Sequence, residues 1–142
     1  MREILFRGQT RRKGEIVYAG TGKPVDGKWV YGGITQGTGD FSVMYSYSPV
    51  EKHVVYTDTV GQFTGLTDKN GKKIFEGDIL KSSDGTKYVV EWDTENARFL
   101  GFSVIKNERY IVYVGREPKS EVIGNIHDDP ELLKDLQNGD ND

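Results

Sequence analysis

The sequence predicts a mostly β protein: an N-terminal β meander, then an SH3-like small barrel or partly open sheet, then one short C-terminal helix. Three observations predict it. Eighteen glycines among 142 residues punctuate the chain where turns need positive φ or close backbone approach. Between them lie short segments rich in Val, Ile, Tyr, Phe and Trp, residues that fit a pleated, half-buried surface. Several of these segments alternate with period two, and helical spacing enters at the end.

Arg2–Arg7 alternates weakly and is expected to form the first strand, with Ile4 and Phe6 on one face. The polar, basic run from Gly8 to Gly14 is expected to be a loop. Glu15–Ala19 is a short strand. Gly20-Thr21-Gly22-Lys23-Pro24 and Asp26-Gly27 carry turn chemistry. Lys28–Ile34 is a strand centred on Trp29 and Tyr31, and Thr35–Gly39 is a further turn. Phe41-Ser42-Val43-Met44-Tyr45-Ser46-Tyr47 alternates strictly, with Phe41, Val43, Tyr45 and Tyr47 on one face and Ser42, Met44 and Ser46 on the other. Lys52–Thr57 completes the meander.

The rhythm then changes. Gln62–Leu66 leads to Asn70-Gly71, a strong hairpin signal. Strands are expected at Ile79–Lys81, Lys87–Trp92, Arg98–Ile105, Tyr110–Val114 and Glu121–His127. Asp84-Gly85, Asp93–Ala97 and Asn107-Glu108 turn the chain between them. Phe63, Leu66, Ile74, Phe75, Ile79, Val122, Ile123 and Ile126 are the core candidates of this half. At the end, Asp129 can cap a helix with Pro130 at its first position, Leu132, Leu133 and Leu136 on one stripe, and Asn138-Gly139 as its stop. The expectation is a single compact unit over 1–142. Its sub-regions are a meander at 1–58, the SH3-like β unit at 59–128, and the short helix with an acidic tail at 129–142.

Composition narrows the chemistry. There is no cysteine, which excludes thiol catalysis, disulfides and thiolate metal sites. No stretch approaches the roughly 20 apolar residues that span a bilayer, and Met1–Arg7 lacks the apolar region of a secretory signal. No membrane association and a location in the cytoplasm of the producing cell are therefore expected. Net charge is −3, unevenly spread. Residues 1–30 hold seven Lys/Arg against three Asp/Glu, and residues 117–142 hold two against eight. That asymmetry reads as solvated surface with an acidic tail, or as a head-to-tail contact within or between chains.

Each candidate site has a structural alternative. Gly22–Lys28 fits the first seven positions of a phosphate-binding loop, but Trp29 stands where Ser or Thr must hold Mg²⁺, and a strand follows instead of a helix. Asp68-Lys69-Asn70-Gly71 shares the start of a calcium loop, but Lys72 and Lys73 occupy a ligand position and the bend position. Glu76 and Asp78 flank Gly77 and could pair for acid–base work, or Asp78 could simply bond nearby amides. His53 and His127 lie in no metal-binding spacing, and no serine-nucleophile elbow exists. No catalytic residue, metal or cofactor is expected. Arg2, Arg7, Arg11, Arg12, Lys13, Lys23 and Lys28 could meet phosphates, with Trp29 and Tyr31 as stacking groups. Against this, the chain is acidic overall and strand aromatics are commonly core.

Three segments resemble the YopX-like proteins encoded by phages and prophages of mainly Gram-positive bacteria. Met1-Arg2-Glu3-Ile4-Leu5-Phe6-Arg7 is similar to that family's M-R-E-I-K-F-R opening. Gln62-Phe63-Thr64-Gly65-Leu66-Thr67-Asp68-Lys69-Asn70-Gly71-Lys72-Lys73-Ile74-Phe75-Glu76-Gly77-Asp78-Ile79-Leu80 is similar to its Q-Y-T-G-L-x-D-K-N-G-K-x-I-Y-E-G-D-I-V. Glu121-Val122-Ile123-Gly124-Asn125-Ile126-His127-Asp128-Asp129-Pro130-Glu131-Leu132-Leu133 is similar to its E-V-I-G-N-I-x-x-N-P-E-L-L. The basic run after Gly8 departs from the aromatic and acidic A-W-D of that pattern, so the basic patch is a local trait. The resemblance implies phage or prophage origin and a β-rich fold with self-association, and it carries over no catalytic residue. The polar candidates within the matching segments are Gln62, Asp68, Glu76, Asp78 and Asn125, together with Thr64.

The function expected is therefore a non-enzymatic accessory protein working by protein–protein contact or oligomerisation, with itself or with a host or phage protein. The alternative is a nucleic-acid-binding β-barrel protein using the N-terminal basic stretch.

Overall fold

The structure, a computed structural model, describes residues 2–13, 15, 17–18, 24–25, 28–35, 39–105, 108–112, 114 and 120–132. Among these residues it is mostly β, with every strand pair antiparallel. The chain divides into two compact units, Met1–Gln62 and Phe63–Asp142. The phosphate-loop-like stretch at 20–23 and 26–27, Lys23 included, lies outside the described residues.

The first unit contains β1 (Phe6–Arg11), β2 (Val17–Tyr18), β3 (Pro24–Val25), β4 (Lys28–Ile34), β5 (Phe41–Tyr45) and β6 (Lys52–Tyr56), then a 3-10 turn at Thr57–Thr59 and the start of β7 (Gly61–Thr67). The sheet order is β6-β5-β4-β1, with Gly61 and Gln62 beside β1. β2 and β3 pair separately. The first strand thus starts four residues later than the alternation suggests, and it includes Gly8–Arg11 of the basic run expected to be a loop. Pairing explains the shift. β1 is hydrogen-bonded to β4 from Phe6 to Arg11 and to β7 on its other side, so backbone ladders outweigh side-chain preference there.

Val30, Met44 and Val55 form the core of this unit, flanked by Phe6, Ile34 and Val60. Gly8 lets β1 approach that core. A Cβ at position 8 would stand 2.9 Å from Met44 Sδ and 3.0 Å from Val55 Cγ2. The sense of the β5 alternation follows from the same packing. Met44 and Ser42 turn inward, the Ser42 hydroxyl sharing a 2.8 Å hydrogen bond with that of Thr57. Phe41 and Tyr45 therefore face out.

The second unit continues β7 and adds β8 (Lys73–Phe75), β9 (Asp78–Lys81), β10 (Lys87–Asp93), β11 (Arg98–Ile105), β12 (Glu108–Val112) and β13 (Glu121–Asn125). β7 and β8 form a hairpin around the expected Asn70-Gly71 turn. The other five make a sheet in the order β12-β11-β10-β9-β13. It is open, with β12 and β13 at its ends, and not a closed barrel. Both of its faces are covered. Leu80, Tyr88 and Val90 pack with Ile74, Phe99, Val114 and Val122 on one side. Ile79 and Val89 pack with Ile123, Ile126 and Leu132 on the other. Burial on both faces explains the unbroken apolar pairs Ile79-Leu80 and Val89-Val90.

Of the core candidates, Leu66 is exposed. The expected C-terminal helix is helical only at Glu131–Leu132 among the described residues. The Asp129 carboxylate accepts the Asn125 N–H at 3.1 Å, and its carbonyl accepts the Leu132 N–H at 3.0 Å. Leu133, Leu136, Asn138, Gly139 and the acidic tail lie outside the described residues.

Candidate interaction surface

The polar candidates of the matching segments are occupied by the backbone around them. Asp68 is buried and accepts three amide hydrogens: from Asn70 at 2.8 Å and Lys72 at 2.9 Å on Oδ1, and from Val122 at 3.0 Å on Oδ2. Burial alone would raise its pKa. The amides of Val122, Lys72 and Asn70, with the Lys72 charge, outweigh that and hold the carboxyl below its ordinary value. Asp78 is buried beneath the Glu76-Gly77 turn and accepts the Phe75 N–H at 2.8 Å, while Glu76 is half-buried. Asn125 Oδ1 accepts the N–H groups of His127 and Asp128, each at 2.9 Å, and its amide donates to Asp128 at 3.2 Å. Gln62 is half-buried opposite Phe6, and Thr64 donates to the Ile74 carbonyl at 2.8 Å. Asp68, Asp78 and Asn125 thus bond the backbone of the turns beside them. Among the described residues no group of three His, Asp or Glu is placed to hold a metal, and no helix is long and apolar enough to cross a membrane.

The basic stretch is dispersed. Arg7 is only 5% exposed, and its guanidinium lies 4.6 Å from the Trp29 ring centroid. Trp29 is half-buried. Arg12 lies 4.2 Å from the Tyr56 ring centroid and donates to both Asp58 carboxylate oxygens, at 3.0 and 3.1 Å. Arg11 is half-buried opposite Lys28, and Arg2, Lys13 and Lys28 are exposed. Strand pairing and local ion pairs therefore separate the cations that look contiguous along the chain.

The surface that does assemble is aromatic. The outward side of β4, β5 and β6 brings together Tyr31, Phe41, Val43, Tyr45, Val54 and Tyr47. Register places Val43 opposite Val54, Tyr45 opposite Lys52, and Phe41 opposite Tyr56. Gly33 pairs with Tyr45, and the Tyr47 hydroxyl lies 3.3 Å from where a Cβ at Gly33 would stand. Glycine there lets the phenol lie across the sheet. Phe41 is 53% exposed and Tyr47 56%.

Charge stands on several sides of this face: Arg7 lies opposite Tyr31 on the neighbouring strand. Lys52 stands at the Tyr45 end. At the Phe41 end an open depression of about 470 Å³ is lined by Arg12, Asp40, Phe41, Tyr56 and Asp58 among others. Glu15 joins that end: its carboxylate accepts the Tyr56 hydroxyl at 2.9 and 3.0 Å. The Arg12 N–H, then the Tyr56 hydroxyl, hold the Glu15 carboxyl below its ordinary value, and Glu15 in turn raises the Tyr56 pKa. Sequence reasoning detects the alternation of residues 41–47 but misses the exposed face, because period two does not say which side is buried.

No curated protein sequence matches this chain. Among solved structures, it is similar to protein EF1440 from Enterococcus faecalis, at 20% sequence identity and a TM-score of 0.37, over 94% of this chain and 99% of that one. A family model described as YopX protein matches residues 6–134. The match spans nearly the whole chain, so this chain belongs to the YopX protein family.

Proposed function

We propose that this chain is a non-enzymatic phage or prophage accessory protein that acts by protein–protein contact through the outward aromatic face of β4, β5 and β6. The observation that carries the reading is the exposure of Tyr31, Phe41, Tyr45 and Tyr47 on adjacent strands while Ser42 and Met44 fill the interior. About half of each of four aromatic side chains, at about 200 Å² apiece, amounts to about 400 Å² of exposed aromatic surface. That falls within the range of the largest apolar patch on a typical monomer, which is often functional, and tyrosine-rich surfaces are typical of contact centres. The use of Asp68, Asp78 and Asn125 as backbone staples supports a non-enzymatic role.

The alternative, nucleic-acid binding by the N-terminal basic stretch, draws less support, because Arg7 is buried and Arg12 is paired with Asp58. The test is affinity capture with the whole protein, nuclease-treated, comparing the natural chain with a Phe41→Ser/Tyr47→Ser double variant. A protein retained by the first and lost by the folded variant is expected. Capture that vanishes with nuclease would refute protein contact in favour of nucleic acid.

A further inference from the structure

We infer that Asn70-Gly71, in the turn between β7 and β8, is a site of spontaneous covalent modification: water replaces its side-chain amide through a cyclic imide, and the isoaspartate formed releases the Asp68 staple. Asparagine is a thermally labile residue, and the residue after it governs how readily it reacts. The main-chain nitrogen of that next residue attacks the asparagine Cγ, so a side chain there stands in the way.

Asn70, Asn96 and Asn125 are the asparagines among the described residues. Asn125 is half-buried and followed by β-branched Ile126, and both ends of its amide are bonded, to the N–H groups of His127 and Asp128 and to the Asp128 carboxylate. Asn96 is exposed, but Ala97 follows it and its amide nitrogen donates to Asp93 at 2.9 Å. Asn70 and Gly71 are both exposed, and the Asn70 side-chain amide has no hydrogen bond among the described residues. Nothing lies within 4 Å of where a Cβ at Gly71 would stand. One restraint remains: the Gly71 N–H donates to the Asp68 carbonyl at 3.0 Å. Of the charges around the turn, Lys72 and Lys73 favour a deprotonated Gly71 nitrogen and Asp68 opposes it, while Lys69 pairs with Glu121 at 3.5 Å.

The steps need only hydroxide and water. Hydroxide takes the Gly71 amide proton, the nitrogen bonds to Asn70 Cγ, the Cγ–Nδ2 bond breaks, and ammonia leaves with a proton from water. Water then opens the imide at either carbonyl. Opening at Cγ restores the ordinary main chain with aspartate at 70. Opening at the main-chain carbonyl leaves the chain running through Cβ and Cγ, which is isoaspartate. Asp68 grips the turn on both sides of that insertion. Its Oδ1 accepts the Asn70 N–H at 2.8 Å and the Lys72 N–H at 2.9 Å, and its own N–H donates to the Lys72 carbonyl at 2.8 Å. An extra main-chain carbon between residues 70 and 71 carries Gly71 and Lys72 off these partners while Asn70 keeps its own. The new carboxylate also stands near that of Asp68, which holds Val122.

The test ages the whole chain in mildly alkaline buffer, folded and in urea, with peptide mapping by mass spectrometry that separates aspartate from isoaspartate. Both products are expected at 70 in the folded chain, formed no more than about tenfold slower than in urea, the worth of one backbone hydrogen bond. Asn96 and Asn125 are expected to stay intact there. Asn70 that survives in the folded chain while it converts in urea overturns the site. The isolated isoaspartate form is then compared with an Asn70→Asp chain, which carries the same charge on an ordinary main chain. Its folded-to-unfolded ratio is expected to be about tenfold lower; equal urea midpoints overturn the link to Asp68. An Asn70→Gln chain, whose side chain is one carbon too long for this imide, is expected to keep its urea midpoint on ageing. A midpoint that falls in that variant as in the natural chain places the damage elsewhere and overturns the site's hold on stability.

Discussion

Replacing Asp68 by alanine removes one acceptor from three amides at once. The carboxylate closes the turn between β7 and β8 through Asn70 and Lys72, and reaches 54 residues along the chain to Val122 on β13. Asn70 and Lys72 are exposed, so their amides regain water; Val122 is half-buried, so its N–H loses more. Hydrogen bonds to a charged acceptor contribute about 1.5–3 kcal/mol each when the partner stays buried, which sets the cost of Asp68→Ala at about 2–4 kcal/mol. Asp68→Asn recovers less than its shape suggests, because its NH₂ must face either the turn amides or Val122 N–H. The assay is urea unfolding followed by far-ultraviolet circular dichroism. Acid adds a second readout. The carboxyl pKa is lowered in the folded chain, so its stabilisation is complete above the unfolded value and is lost as pH falls through that value toward the folded one. The stability gap between the natural chain and Asp68→Ala is expected to hold from about pH 7 to about pH 5 and to shrink below about pH 4. A cost under about 0.5 kcal/mol, or a gap unchanged at about pH 3, would refute the staple.

Two other outcomes test the packing and the turns. Gly8→Ala is expected to destabilise by about 1–3 kcal/mol, since overpacking against Met44 and Val55 outweighs the gain of about 0.4–1 kcal/mol from a stiffer unfolded chain; an unchanged urea midpoint would contradict the close approach of β1. Asp84 is expected to titrate at about 2, because the Ser82 hydroxyl and then the Thr86 amide bond its carboxylate, and Ser82→Ala should move it upward; carboxyl-carbon NMR in both proteins measures this.

Local chemistry made much of the fold readable. Asn70-Gly71 and Asp84-Gly85 announce the turns that follow β7 and β9 because turn conformations depend on a few adjacent residues. The five strands of the second unit's open sheet follow in register with such turns. What stayed hidden depends on distant partners. Gln9 lies in the run expected to be a loop and Arg7 among the cations that could meet phosphates, yet both are buried in β1, which pairs with β4 and β7. Asp68 is legible as a turn residue but not as a bond to Val122. Asp129 is legible as a helix-cap residue but not as the acceptor of the Asn125 N–H. The aromatic face needed the position of Gly8 and Met44 to reveal its sense. Two of the three segments that carry the family resemblance supply the turns and core of the second unit, while the candidate surface lies outside all three.

The edge position of β13 has a consequence for how the chain is made. β13 pairs with β9 through Glu121 and Lys81, and Ile123, Ile126 and Leu132 cover Ile79 and Val89. During synthesis the inner strands of that sheet therefore exist before the residues that cover one of their faces. In the first unit β5 and β6 form a hairpin, and local pairing is faster than distant pairing. The second unit must wait for its final strand with Ile79 and Val89 open to other chains, the interval in which a β protein is most exposed to aggregation.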